Sequence, residues 1–171
     1  RDYRTDNFIR FLLDGKREIT AEEVEIRKKS LGLSLLNGPF AVAMIAPDYS
    51  TVKYEEKDCF LEEYEKFVKQ NLEIPHSFVY TFINSFNNIV VLLAFSGKTA
   101  TANELSETFI ALREKLSEKF SLESFIGIGN IVKTYKEISE TASNAMEMLS
   151  FKYQYADKGV VNIDTIVKFQ Y

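Results

Sequence analysis

Tryptophan is absent from this chain, cysteine and histidine occur once each, and only seven glycines and three prolines are spread over its 171 residues. So little glycine and proline excludes collagenous and low-complexity architectures. A single cysteine, Cys59, excludes an internal disulfide and any structural zinc site built from four cysteines or from paired cysteines and histidines, and it fits the reducing cytoplasm expected as the location. No apolar run approaches the roughly 18 to 20 residues that span a bilayer, and the N-terminus lacks a signal-peptide core. Basic excess is missing too: 21 basic against 25 acidic residues leave a net charge of -4. The phosphate-backbone footprint of a nucleic-acid binder is therefore not expected, and neither is a membrane partner. What remains is 46% hydrophobic and 27% charged, the composition of one soluble globular domain. Arg1 is not an initiator, the first methionine is Met44, and the opening residues already read as helix, so a piece of a longer protein is expected.

The periodicities set out the elements. Phe8, Phe11 and Leu12 fall at i, i+3 and i+4, one apolar helix stripe, stopped at Gly15. Thr20 with Glu23 has the capping-box spacing and opens a second helix that runs to about Leu31, with Gly32 as its stop. After Asn37-Gly38, the continuous run Phe40 to Ala46 predicts a strand buried on both faces, ended by Pro47. Phe60, Leu61, Tyr64, Phe67, Val68 and Leu72 recur at threes and fours, an amphipathic helix. Phe78 to Phe86 and Ile89 to Phe95 predict two strands joined by a two-residue turn, Asn87-Asn88. A second capping box, Thr101 with Glu104, starts a helix over about 102 to 119. Ser124 to Gly129 is the next strand, Thr134 with Glu137 starts another helix to about Phe151, and Val160 to Ile163 is the last strand.

The order is a helical lead-in over 1–37 and then β-α-β-β-α-β-α-β over 38–171. Its first six elements form the split β-α-β arrangement, so the fold class is α+β, an antiparallel-rich sheet with helices packed on it. The lead-in is read as a separate signalling or oligomerising segment.

Few side chains carry chemistry by themselves. His76 follows Pro75 in a loop and has neither a second histidine nor a cysteine near it in sequence, so a surface or turn role is expected. Cys59, at the start of a helix, has no candidate base and reads as structural. Gly127-Ile128-Gly129 lacks both the third glycine of a dinucleotide loop and a Lys-Ser/Thr, and reads as a strand ending in a tight turn. Arg27-Lys28-Lys29, with Glu22, Glu23 and Glu25 at helix-pairing distances, reads as a solvated face. Tyr80, Phe82 and Phe86 read as core or cross-strand aromatics, with a ligand pocket as the other reading.

Phe125-Ile126-Gly127-Ile128-Gly129-Asn130, Tyr135-Lys136-Glu137-Ile138, Ala142, Ala145, Leu149 and Gly159-Val160-Val161 together resemble the C-terminal half of a degenerate GGDEF-like domain. That domain lies between the receiver and the AraC-type DNA-binding module of some bacterial two-component response regulators. Sugar-diacid and purine-catabolism regulators carry a similar one. Phe8 to Gly15 with Leu31-Gly32-Leu33 resembles the helical segment before it, so the likeness covers roughly residues 8 to 166. It implies a nucleotidyl-cyclase-like, ferredoxin-like palm. An active diguanylate cyclase carries Gly-Gly-Asp/Glu-Glu-Phe at the hairpin, where glycines admit GTP and acidic groups hold magnesium with a first-strand aspartate. Matched to that motif, the five positions here are Ser85, Phe86, Asn87, Asn88 and Ile89, with Ala46 in place of the first-strand aspartate and Asp48 at the second acidic position.

The expectation that follows is a non-catalytic signal-relay or dimerisation domain with no cofactor, no catalytic residue and no metal ligand. Its partners would be the receiver and DNA-binding domains of the same longer chain, and a second copy where the domain dimerises. The stripe of Phe8, Phe11 and Leu12 is too short to be stable alone. It should bury itself against a partner helix or its own domain, at about 1.5 to 3 kcal/mol per side chain. A small-molecule effector sensor is the alternative, and an active diguanylate cyclase is disfavoured.

Overall fold

A computed structural model describes residues 3–72, 74, 77–98, 100–152, 154 and 159–170. Two helices, α1 (Tyr3–Asp14) and α2 (Ala21–Leu31), precede β1 (Phe40–Pro47), α3 (Lys57–Asn71), β2 (Phe78–Ile83), β3 (Ile89–Ala94), α4 (Ala102–Phe120), β4 (Ser124–Ile128), α5 (Ile138–Leu149), β5 (Val160–Val161) and α6 (Ile163–Gln170). The molecule is α+β, and the five strands run in the order β2-β3-β1-β4-β5. All neighbours are antiparallel except β4 with β5. The hairpin-joined β2 and β3 and the two crossovers through α3 and α4 give the split β-α-β sheet, and α5 carries the chain to the added parallel strand.

Alternation along the central strands explains why both β1 and β3 read as unbroken apolar runs. Ala41, Ala43, Ile45, Ile89, Val91 and Leu93 face α3 and α4, meeting Leu61, Tyr64, Phe109 and Leu112. Val42, Met44, Val90 and Leu92 face the other way into a core shared with Phe8, Ile9 and Leu12 of α1, Val24 of α2, and Ile138, Ala145 and Met148 of α5. With helices on both faces, β1 is buried on both sides, with Ala46 alone half-buried. The lead-in and the sheet thus contribute to one core across the expected division at residues 37 and 38.

Helix α5 sits unusually close to the sheet, and two glycines allow it. A Cβ on Gly127 would lie 2.5 Å from the Ala145 carbonyl oxygen, and one on Gly129 would overlap the Thr141 carbonyl and hydroxyl. Thr141 uses that proximity: its hydroxyl accepts the Val42 N–H at 3.2 Å. The Gly-Ile-Gly run is therefore a helix seat.

Local signals set most boundaries. Thr20 accepts the Glu23 N–H at 3.1 Å, and Gly32, at φ 70°, ends α2 in the left-handed conformation that glycine adopts at least cost. Thr101 caps α4 through the Glu104 N–H at 3.1 Å. The Thr134 and Glu137 box is present too, opening a 3-10 turn (Tyr135–Glu137) that leads into α5.

Two expectations need correcting. The hairpin does not turn on Asn87-Asn88: β2 stops at Ile83, and Ser85, Phe86 and Asn87 form a three-residue loop. Asn84 decides this, because its side-chain oxygen accepts the N–H groups of Phe86 and Asn88, each at 3.0 Å, and its carbonyl accepts the Asn87 N–H. Only Asn87 then needs positive φ, at 60°. The last strand is shorter than expected, ending at Val161, because Asn162 caps α6 by accepting the Thr165 N–H at 2.9 Å.

Candidate functional site

The hairpin end of the sheet is where the GGDEF-like resemblance places its motif. Ser85 and Phe86 are exposed at the loop, Phe86 by 71%, Asn87 and Asn88 are half-buried, and Ile89 is buried as the first residue of β3. Ala46, half-buried, follows the last β1–β3 pair, Ile45 with Ile89. The structure therefore brings Ala46 and the five motif positions to one edge of the sheet.

A residue that the sequence reading passed over closes this edge. Tyr49 stands in a 3-10 turn (Tyr49–Thr51) after β1, and its hydroxyl donates to the Asn87 carbonyl. The backbone oxygen at the middle motif position is thus engaged by the chain itself. Lys57 lies 4.6 Å from the centre of the Tyr49 ring, and Phe60 meets that ring edge-on at 6.1 Å. Burial, with Tyr64 adding to it, raises the Tyr49 phenol above its ordinary range and keeps the proton that makes this bond. Asp48 caps the same turn by accepting the Ser50 N–H at 3.0 Å. The Ser50 hydrogen bonds, assisted by the Lys152 charge, hold its carboxyl below the usual value. Among the described residues no group of three or more His, Cys, Asp or Glu side chains comes together.

A different arrangement occupies the opposite end of β1. Lys28 is only 3% exposed, and its ammonium donates to Glu25 at 3.1 Å, to Tyr135 Oη at 2.9 Å and to the Asn37 side-chain oxygen. All three N–H donors of the group are thereby used. Tyr135 accepts from Lys28, and its own proton has two acceptors in reach, Glu25 Oε1 at 2.9 Å and the Leu36 carbonyl at 3.0 Å. Its ring packs 5.1 Å from that of Phe40, the first residue of β1. The hydrogen bond from Lys28, then that from Tyr135, holds the Glu25 carboxyl below its ordinary range. Burial first, offset by Lys28 and reinforced by Glu25, raises the Tyr135 phenol.

This clasp corrects the reading of Arg27-Lys28-Lys29 as a solvated face. Arg27 and Lys29 are exposed, but Lys28 turns inward. Its spacing from Val24 was the available signal: both occupy the buried side of α2, one turn apart.

The remaining candidates separate. Phe8 and Leu12 are buried in the domain's own core and Phe11 is half-buried, so the stripe takes the second of its two expected burials. Tyr80, Phe82 and Phe86 do not line one pocket: Tyr80 stacks on Phe78, Phe82 is buried beneath the Arg10 guanidinium at 4.7 Å, and Phe86 is at the exposed tip. Cys59 is exposed in the first turn of α3. His76 lies outside the described residues. No helix among the described residues is long and apolar enough to cross a membrane. No protein-family model matches the chain, and no curated protein matches it.

Proposed function

We propose that this is a non-catalytic relay domain of a bacterial two-component response regulator, a degenerate GGDEF-like palm that passes the state of a receiver to an AraC-type DNA-binding module. The observation that carries the reading is the Lys28 clasp, which joins α2 to the turn that launches α5, over a core shared by α1, α2, α5 and the sheet. A displacement imposed on α1 or α2 cannot be absorbed at a loose joint, because well-packed elements move as bodies rather than deforming continuously. At the motif edge, Ser85 and Phe86 stand where the resemblance requires glycines, Asn87, Asn88 and Ala46 where it requires carboxylates, and Tyr49 takes the backbone contact.

Purified chain incubated with GTP and magnesium should yield no cyclic dinucleotide, and formation of one overturns the non-catalytic reading. The dimeric version rests on Phe11, the stripe residue still half-exposed. Sedimentation should then show self-association that Phe11→Asp abolishes while helical content is retained; monomers in both cases restrict the relay to contacts within one chain.

A further inference from the structure

A cleft of about 470 Å³ opens between α1 and α2, and Arg4, Asn7, Phe8, Phe11, Arg27 and Ser30 line it. Its size falls within the range that holds small molecules, roughly 300 to 1,000 Å³. The lining residues sit one turn apart on each helix: Arg4, Asn7 or Phe8, and Phe11 on α1; Arg27 and Ser30 on α2. One face of each helix therefore supplies both the apolar floor and the polar rim.

The charge of this cleft is one-sided. Two arginines line it and no carboxylate does, although the chain as a whole carries -4. The neighbouring clefts are mixed in charge: Glu18 and Glu23 line one with Arg17 and the other side of Arg27, and Asp14 lines another with Arg10. The Arg27 guanidinium lies 5.5 Å from the ring centres of both Phe8 and Phe11. Two aromatic rings hold the cation in place, yet among the described residues its five N–H donors have neither a hydrogen-bond acceptor nor an ion-pair partner. A guanidinium placed by aromatic faces, with its donors unspent beside an apolar floor, has the chemistry that recognises a carboxylate or phosphate.

We infer that the cleft between α1 and α2 binds a small organic anion, a carboxylate or phosphate carried on a flat apolar body. The anion pairs with Arg27, with Arg4 flanking it, the flat body lies on the half-buried ring of Phe11, and Asn7 and Ser30 supply neutral polar contacts at the rim. Such a site goes beyond the relay reading and stands whether or not the domain relays.

Calorimetric titration of the whole chain with phenyl phosphate and with benzoate tests this, with inorganic phosphate as the charge without the ring. Saturable binding of at least one aryl anion is expected, with inorganic phosphate clearly weaker. Arg27→Gln should weaken binding about tenfold or more, the scale of one charge-assisted hydrogen bond. Arg17→Gln, outside the cleft, should leave it unchanged. Ser30→Glu, at an exposed position, places a carboxylate at the rim and should abolish binding even if Arg27→Gln does not fold. The inference is overturned if neither aryl anion saturates at millimolar concentration, if inorganic phosphate binds as tightly as phenyl phosphate, or if Ser30→Glu binds as the parent does.

Discussion

At the hairpin end of β1 the amides and backbone of the loop are tied down by Asn84 and by the hydroxyl of Tyr49. At the other end a lysine ammonium is buried, and every donor it has is paired. Both ends are satisfied, but at different risk. Loss of a neutral hydrogen bond near the surface costs little, because water replaces the partner. Loss of the buried Lys28 ammonium takes a charged donor from the half-buried Asn37 and Tyr135, a larger loss than that of a neutral one. The hairpin end is thus the tolerant one, and the end that joins the lead-in to α5 is the sensitive one.

Removing the seat of α5 should have the largest effect. Gly129→Ala puts a methyl group into the Thr141 carbonyl and forces α5 off the sheet. Urea denaturation should show a loss of about 3 kcal/mol, the upper part of the range for overpacking a tight contact. Next comes the sensitive end: Lys28→Met keeps the bulk and removes the charge, and should cost about 2 kcal/mol for the groups left unpaired. Glu25 limits that figure, since its side chain is 59% exposed and water can take it. Smaller again is the tolerant end, where Tyr49→Phe should cost about 1 kcal/mol and speed hydrogen exchange at the loop without reaching α5. Equal losses for Lys28→Met and Tyr49→Phe would erase the contrast between the ends.

Acid and base extend the contrast to pH. The Glu25 carboxyl is lowered in the folded state, so its contribution is present above the ordinary carboxylate value and disappears as pH falls through the folded one. Tyrosines work in the opposite sense. Burial raises Tyr64 to about 12 and also raises Tyr49 and Tyr135, so their contribution is complete below the unfolded value of about 10 and is lost as pH rises past it. The urea midpoint should therefore fall on both limbs, and Tyr64→Phe should flatten the alkaline one. An unchanged alkaline limb would count against Tyr64 as its source.

Much of this was legible in the sequence because the governing interactions are local. Capping residues such as Thr20 and Thr101 act over three positions, and the two-faced burial of β1 shows directly as an unbroken apolar run. The hairpin loop was misread because Asn87-Asn88 looks like a turn pair, whereas the controlling residue is Asn84 and its side chain. Helix α6 was missed because its signal, Asn162 with Thr165, sits directly behind a strand only two residues long. Tyr49 and Lys28 were harder: their partners Asn87 and Tyr135 lie 38 and 107 positions away, and nothing local specifies them. Even so, the Val24 to Lys28 spacing carried half of that information.

Hydrogen exchange followed by mass spectrometry on the parent and Lys28→Met tests the relay most directly. If the clasp couples the lead-in to the body, protection should fall together in α2 and in the first turns of α5, with the hairpin loop unchanged. Loosening confined to α2, with α5 as protected as in the parent, would contradict the account.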